Sequence, residues 1–346
     1  MQLHEFMCPT PLKLNKINVK ELINNHPSRL AMGMDFEEKK IHFKHGSYSF
    51  KENKSLAREI FGSYKPWPLQ SFSKQMLDLI NQPIQMISDF EDCRGTLQEA
   101  QTGLKYNCFT YNRLRGIGDE ILWQRAGFFV PNETLGYCLD GRIIDNNNFK
   151  DKINKIYWRG GLNGSNWLSN VKRDSVLSLK TFDEFVKARY RYSRINAIFF
   201  GQLHPEIMDF KLTGTFAKDL IYTDHPNLWS ENVSKNSMLD YKYILCPNGN
   251  DVSTQLYWVI GTNSLAFKED CEYEIIPDFF LKPWIHYIPV SKGLNDLKEK
   301  FDYIERNPSL AMKIIENANS AYNRIVNSNE WEEAELIVLQ KLGYLK

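Results

Sequence analysis

The sequence predicts an α/β protein built around two parallel sheets and closed by a helical tail. Three observations predict it. Apolar runs of strand length alternate with segments of helical period, the pattern that parallel sheets and their crossover helices leave in a sequence. A polar, turn-forming stretch, Asp145-Asn146-Asn147-Asn148, reads as a linker and precedes a fresh round of that alternation. At about 150 residues per domain, a chain of 346 residues has the length of two domains. The implied boundaries are 1–148 for a first domain, 149–325 for a second and 326–346 for the helical tail.

The elements follow in order. Residues 1–80 mix Lys, Asn and Ser with short apolar stretches, and Thr10-Pro11 and Lys65-Pro66-Trp67-Pro68 punctuate them as loops. Ser73–Ile80 has helical apolar spacing. Pro83–Ser88 reads as a short buried strand running into the acidic cluster Asp89, Glu91 and Asp92. Cys108–Tyr111 is a further strand, followed by a loop with Gly116 and Gly118, and Ile121–Trp123 and Phe128–Val130 continue the rhythm. Past the linker, Lys155–Trp158 reads as a strand, Arg159–Asn166 as a glycine-rich loop, Asp183–Ala188 as a helix and Ile195–Phe200 as a strand. Met238–Leu245 brings a helix end and the strand Tyr243–Leu245. Gln255–Ile260 is a helix, and Ser264–Phe267 and Trp284–Val290 are strands. From Leu294 the chain is mostly helical, with Phe301 and Ile304, then Ile314 and Ile315, at helical spacing.

Composition removes several function classes. Lys and Arg number 43 against 42 Asp and Glu, so the net charge of +1 lacks the basic excess of a dedicated duplex-DNA binder. The six cysteines are scattered with no CxxC pair, which speaks against a zinc ribbon or a thioredoxin-like motif and for reduced thiols in a cytosolic protein. Met1–Lys20 has no apolar signal-peptide core. The longest apolar runs, such as Ala197–Phe200, fall far short of the roughly 20 residues of a membrane span. The expected location is cytoplasmic, with peripheral attachment at the inner face of the membrane left open. None of the seven histidines has metal-ligand spacing, and no paired carboxylate reads as a metal site, so no metal is expected.

Three segments could carry chemistry. The loop Arg159-Gly160-Gly161-Leu162-Asn163-Gly164-Ser165-Asn166 follows a strand, so it is either an ordinary turn or a cradle of backbone N–H groups for phosphate, with Arg159 adding charge. It is not GxGxxG, and the chain has no GxxxxGK[ST]. Pro247–Gln255 lies between a strand and a helix, so its small and hydroxyl residues are either N-caps or donors to an anion. The acidic cluster is either a solvated turn or the source of a general base.

The segment Tyr241–Val290, YKYILCPNGNDVSTQLYWVIGTNSLAFKEDCEYEIIPDFFLKPWIHYIPV, resembles the signature region of glycosyltransferase family 90. That family includes capsule-associated and lipopolysaccharide-core transferases and the Rumi-type protein O-glucosyltransferases. Its ending, Leu281-Lys282-Pro283-Trp284-Ile285-His286-Tyr287-Ile288-Pro289-Val290, is nearly verbatim. Tyr157-Trp158-Arg159-Gly160 with the later Arg173 resembles the family's aromatic-Arg-Gly motif, and Pro83–Asp92 resembles the strand that ends in its catalytic Asp. The likeness is full over about 155–325, thin over 83–130 and absent over 1–80.

The resemblance implies a GT-B architecture of two facing Rossmann-like domains. It implies transfer with inversion from a nucleotide-sugar donor, UDP-glucose or UDP-xylose, to a glycan or lipid-linked glycan, with no cofactor and no bound metal. The base is Asp92, with Asp89 as the neighbouring alternative. Donor contacts fall on Arg159, Gly160, Gly161, Arg173, Gly249, Asn250, Asp251, Ser253 and Gln255, and a carboxylate at Glu272 or Glu274 meets ribose or sugar hydroxyls. One departure stands out: many eukaryotic members have Arg two residues after the Ser, where this chain has Gln255. A neutral amide binds a phosphate without neutralising it. Another cation (Arg159, Arg173 or Lys268) then compensates, or the donor differs, or turnover is weak. Two other readings share the architecture: a sugar-nucleotide epimerase, and a binding protein without turnover.

Overall fold

The computed structural model describes residues 1–9, 11, 17–26, 31–44, 46–50, 67–90, 107–116, 119–124, 144–162 and 179–345. The chain divides into two compact units. The first gathers Met1–Asp140, Tyr273–Phe279 and Asn327–Lys346, and the second holds Gly141–Glu272 and Phe280–Val326. The chain thus returns twice to the first unit, where the sequence predicts one boundary after 148 and a tail of its own.

The first unit is built on a six-stranded sheet of order β3-β2-β1-β4-β5-β7. Its strands are β1 Ala31–Asp35, β2 Lys40–Phe43, β3 Gly46–Ser49, β4 Gln85–Asp89, β5 Cys108–Thr110 and β7 Ile121–Leu122. β4, β5 and β7 run parallel, whereas β1 is antiparallel to both β4 and β2, and β2 to β3. The expected parallel sheet is therefore parallel in one half only. The other half is a meander over 31–49, a stretch to which the sequence reading assigns no element. All five residues of β1 are buried, so it shows no alternation to read. Helix α2 (Val19–Asn25) crosses β1 at Gly33, where a β-carbon would stand 3.0 Å from Ile23 Cγ1 and 3.1 Å from Val19 Cβ. Only glycine allows that approach without a shift. Helix α3 (Trp67–Leu79) sets Phe72 against Phe90, Phe109 and Trp123, with ring centroids 5.4, 5.5 and 6.2 Å away. Helices α1 (Leu3–Met7) and α10 (Glu330–Lys341) pack together, and β6 (Arg113–Leu114) pairs with β12 (Tyr273–Glu274).

The second unit holds five strands: β8 Ile153–Gly160, β9 Met208–Leu212, β10 Tyr241–Cys246, β11 Leu265–Glu269 and β13 Ile288–Val290. Their order is β13-β11-β10-β8-β9, and every neighbouring pair is parallel. The helices are α4 Phe182–Ala188, α5 Ser193–Leu203, α6 Thr215–Ile221, α7 Leu256–Val259, α8 Leu297–Glu305 and α9 Pro308–Asn327. One face of the sheet carries Tyr243, Leu245, Leu265 and Phe267 into a core with Phe185, Ile195, Ile198, Phe301 and Ile304.

Three sequence expectations change here. Ile195–Phe200 is not a strand but lies within α5, whose buried residues Ile195, Ala197, Ile198 and Gly201 follow helical spacing. Of Trp284–Val290, only Ile288–Val290 is strand, because Trp284 turns the chain at φ 63. Asp145–Asn148 is not a loose linker: Asp145 forms a buried ion pair with Lys152 at 2.8 Å and accepts the Asn263 N–H at 2.7 Å. No described helix is long and apolar enough to cross a membrane.

Candidate functional site

Along the chain of the second unit, β8 comes first, β9 second and β10 third, so the sheet reads second, first, third, fourth, fifth. The direction of winding reverses between β8 and β10. Open α/β sheets bind ligands outside the carboxyl ends of their strands at such a reversal, because the two flanking loops diverge there. The segments that emerge at this point are Gly161–Leu162 after β8 and Pro247–Gln255 after β10.

Arg194, on the first turn of α5, joins the two. Its Nε donates to Asn248 O and its Nη1 to Gly161 O, each at 3.0 Å, and its guanidinium stands 5.9 Å from the Trp158 ring centroid. Burial pulls its pKa down to about 10, while Glu269 and Asp251 oppose the shift. Glu269 closes β11 and is itself buried. It accepts the Ser193 hydroxyl, the Asn248 N–H at 2.8 Å and the Gly293 N–H at 3.0 Å. Desolvation raises the Glu269 pKa against those donors. Arg194 and Glu269 thus anchor the backbone that follows β8, β10 and β13.

The expected donor contacts divide. Gly160, Gly161, Gly249, Asn250 and Gln255 are half-buried at this edge, while Asp251 and Ser253 are buried. A β-carbon on Gly161 would meet nothing within 4 Å, but one on Gly160 would stand 2.6 Å from Trp158 Cζ2. Gly160 is therefore required by the packed indole whatever its amide binds. The helix after Ser253 has only four residues, too few to supply the helix-terminus field the sequence suggests. Gln255 turns its amide to the Met238 sulfur at 3.3 Å.

Arg159 has a protein partner. Expected to face a diphosphate, it donates to Asp209 Oδ1 at 2.7 Å and to Asp209 O, and lies 4.4 Å from the Tyr157 ring centroid. Tyr241 OH donates to the other Asp209 oxygen at 2.8 Å. The opposite charge on β9 holds the guanidinium along the sheet. Arg173 lies outside the described residues. Lys268 is buried, with its ammonium 5.4 Å from the Tyr287 ring centroid.

Glu274, expected at ribose or sugar hydroxyls, also has a protein partner. It belongs to the first unit, where Arg113 Nε donates to it at 2.8 Å and where both side chains are buried. Arg113 also donates to Phe6 O, Met7 O and Glu120 O, so the pair fastens β12 to α1 and β6. Glu272 is exposed and paired with Lys292. Asp89 ends β4 with no exposed surface, and Asp92 lies outside the described residues.

Among the described residues, one group, Asp35, Glu38 and His42, brings potential metal-ligand atoms within 4.8 Å of one another. Protein donors already occupy it. Asp35 accepts the Glu38 N–H at 2.9 Å and Gln85 Nε2 at 2.7 Å, Glu38 pairs with Lys40 at 2.9 Å, and His42 Nδ1 shares a hydrogen bond of 2.7 Å with Ser47.

The sequence model of glycosyl transferase family 90 matches residues 142–330, more than half of the chain and the whole of this parallel sheet. This chain belongs to glycosyl transferase family 90. Among curated relatives of this family-90 chain, O-glucosyltransferase LpsA of Dichelobacter nodosus is 32% identical over 112 residues, which cover 32% of this chain and 35% of that protein. Protein O-glucosyltransferase 2 of Danio rerio is 27% identical over 171 residues, 48% of this chain and 28% of that protein. Protein O-glucosyltransferase 1 of Rattus norvegicus is 35% identical over 77 residues, 21% of this chain and 19% of that protein. The matches thus span about a third of the relatives' length or less. Arg194 and Glu269, which sequence reasoning missed, lie inside the family-90 stretch. The signal for Arg194 was present in Tyr192-Ser193-Arg194 ahead of an apolar run, but it is visible only once that run is read as a helix pointing its first turn at the strand ends.

Proposed function

We propose that this chain is an inverting glycosyltransferase of the GT-B class. It moves glucose, xylose or a similar sugar from a UDP-sugar to a hydroxyl of a surface glycan, lipopolysaccharide or capsule acceptor. The observation that carries this reading is the winding reversal between β8 and β10, with two glycine-bearing loops at the strand ends, inside the stretch that family 90 matches. The printed names of the relatives favour glucose among the sugars.

In the proposed reaction Asp92 takes the proton of the acceptor hydroxyl. The freed oxygen bonds the anomeric carbon as the bond to the diphosphate breaks, and UDP leaves with the bonding pair. Asp89, which has no exposed surface, is the alternative base. Backbone N–H groups and cations at the β8–β10 edge stabilise the departing diphosphate. No metal and no cofactor take part, and we place the reaction in the cytoplasm or at the inner membrane face.

The test is a UDP-release assay across UDP-glucose, UDP-xylose and other nucleotide sugars, with and without glycan acceptors. Acceptor-dependent UDP release with one donor is the expected result. Release of free sugar with an altered configuration and no acceptor would favour the epimerase reading. Tight UDP binding without turnover on any acceptor would favour the binding-protein reading, which Gln255 motivates.

A further inference from the structure

We propose that Arg194 is the cation that binds the diphosphate of the donor, in the place where Gln255 offers none. The proposal rests on the nucleotide-sugar reading above and names a residue that neither the sequence motifs nor the family likeness assigns. Arg194 stands at the winding reversal, bonded at once to Gly161 O beyond β8 and to Asn248 O beyond β10. Those two bonds use Nε and Nη1. Among the described residues Nη2 makes no hydrogen bond, and it lies beside Gly249, where a β-carbon would stand 3.4 Å from it. The residue as a whole is half-buried, and its two bonds to main-chain oxygens hold the guanidinium in place. The space beside Gly161 is open as well.

Of the other cations considered for this role, Arg173 lies outside the described residues and the other two are less available. Arg159 is paired with Asp209, and Lys268 is buried against Tyr287. Glu269 and Asp251 offset part of the Arg194 charge, but the hydrogen bonds of Glu269 go to Ser193 and to the Asn248 and Gly293 amides. The planar guanidinium is thereby oriented while Nη2 keeps its two N–H groups for an anion. A forked, charge-assisted contact of this kind suits a phosphate, and a rigid mounting avoids an ordering cost on binding.

The experiment measures UDP by calorimetry and uridine by saturation-transfer NMR on wild type, Arg194→Gln and Arg194→Lys, with Glu269→Gln as a control for the loop anchor. Arg194→Gln is expected to weaken UDP about 10–100-fold and leave the uridine signal in place, with Arg194→Lys recovering part of the loss. Inorganic pyrophosphate should displace UDP from wild type and fail to do so from Arg194→Gln. Glu269→Gln should weaken UDP and uridine together. Undiminished UDP affinity in Arg194→Gln overturns the assignment alone, as does joint loss of UDP and uridine in both Arg194 variants, which would mark a structural role. A wild type that binds uridine but no nucleoside diphosphate overturns the donor reading and this assignment with it.

Discussion

Asp92 and Asp89 are three residues apart, and only Asp89 is among the described residues. Asp89 is the last residue of β4, in register with Ala31 and Thr110, and has no exposed surface. A general base must reach the proton it removes, which the burial of Asp89 opposes. Asp92→Asn is expected to lower kcat by about 10²–10⁴-fold while UDP affinity in calorimetry stays nearly unchanged. If Asp92→Asn and Asp89→Asn each kept most of the turnover, the base would lie elsewhere, with Asp119 and Glu120 next in line. Arg159 makes the opposite point. Its partner is Asp209, at 2.7 Å, with the pair sheltered between β8 and β9. Removing it strands a carboxylate that also holds Tyr241. Arg159→Ala should therefore destabilise the fold by about 1–3 kcal/mol in denaturant unfolding and leave UDP affinity close to wild type. A large loss of UDP affinity with unchanged stability would return Arg159 to the donor site.

At the level of elements, legibility followed burial pattern. β8 and β10 were readable because compact apolar runs, Ile156-Tyr157-Trp158 and Tyr243-Ile244-Leu245, are bounded by turn residues. β9 was missed because Asp209 and Lys211 interrupt its apolar residues, and both are only half-buried. Within α5, Ile195-Asn196-Ala197-Ile198-Phe199-Phe200 reads as a strand because it is rich in strand-favouring side chains, and its packing against β9 outweighs that preference. The strand reading leaves Arg194 out of sight. The tail reads as helical, and beside its apolar packing against α1 it is attached to the first unit by a polar contact no periodicity reveals. Glu335 of α10 is buried and accepts Gln75 Nε2 at 2.7 Å, while Trp123 Nε1 donates to Gln75 Oε1 at 3.0 Å. Burial, aided by Glu332, lifts the Glu335 pKa to about 7 against the Gln75 hydrogen bond. The folded chain then holds a proton that the unfolded chain has already lost above its ordinary value of 4.5. The resulting stability is complete below that value and is lost as the pH rises through about 7. Urea unfolding followed at pH 5, 6, 7 and 8 should show this loss in wild type, and Glu335→Gln should flatten it. A pH dependence unchanged in Glu335→Gln would assign the titration to another group.

For the molecule as a whole, the donor is expected to act as a ligand of the native state only, and to do so without metal. The residues at the β8–β10 edge are glycines, amides and Arg194, with Asp251 and Ser253 buried among them. Such a set neutralises a diphosphate through guanidinium and N–H groups, whereas Mg²⁺ or Mn²⁺ needs several oxygen ligands around one point. The one group of potential metal ligands among the described residues, Asp35, Glu38 and His42, belongs to the first unit and is held by Gln85, Lys40 and Ser47. A cation there would have to displace the Lys40 ammonium from Glu38. UDP at 100 times its dissociation constant should therefore raise the unfolding free energy by about 2.7 kcal/mol, since the ligand binds the folded chain and not the unfolded one. The accompanying rise in Tm should be the same in EDTA as in Mn²⁺, and sugar transfer should proceed equally in both. A Tm shift or transfer rate that disappears in EDTA and returns with Mn²⁺ would show that the diphosphate is held through a metal after all, and the ligand search would then begin with the carboxylates in or bonded to the β10 loop, Asp251 and Glu269.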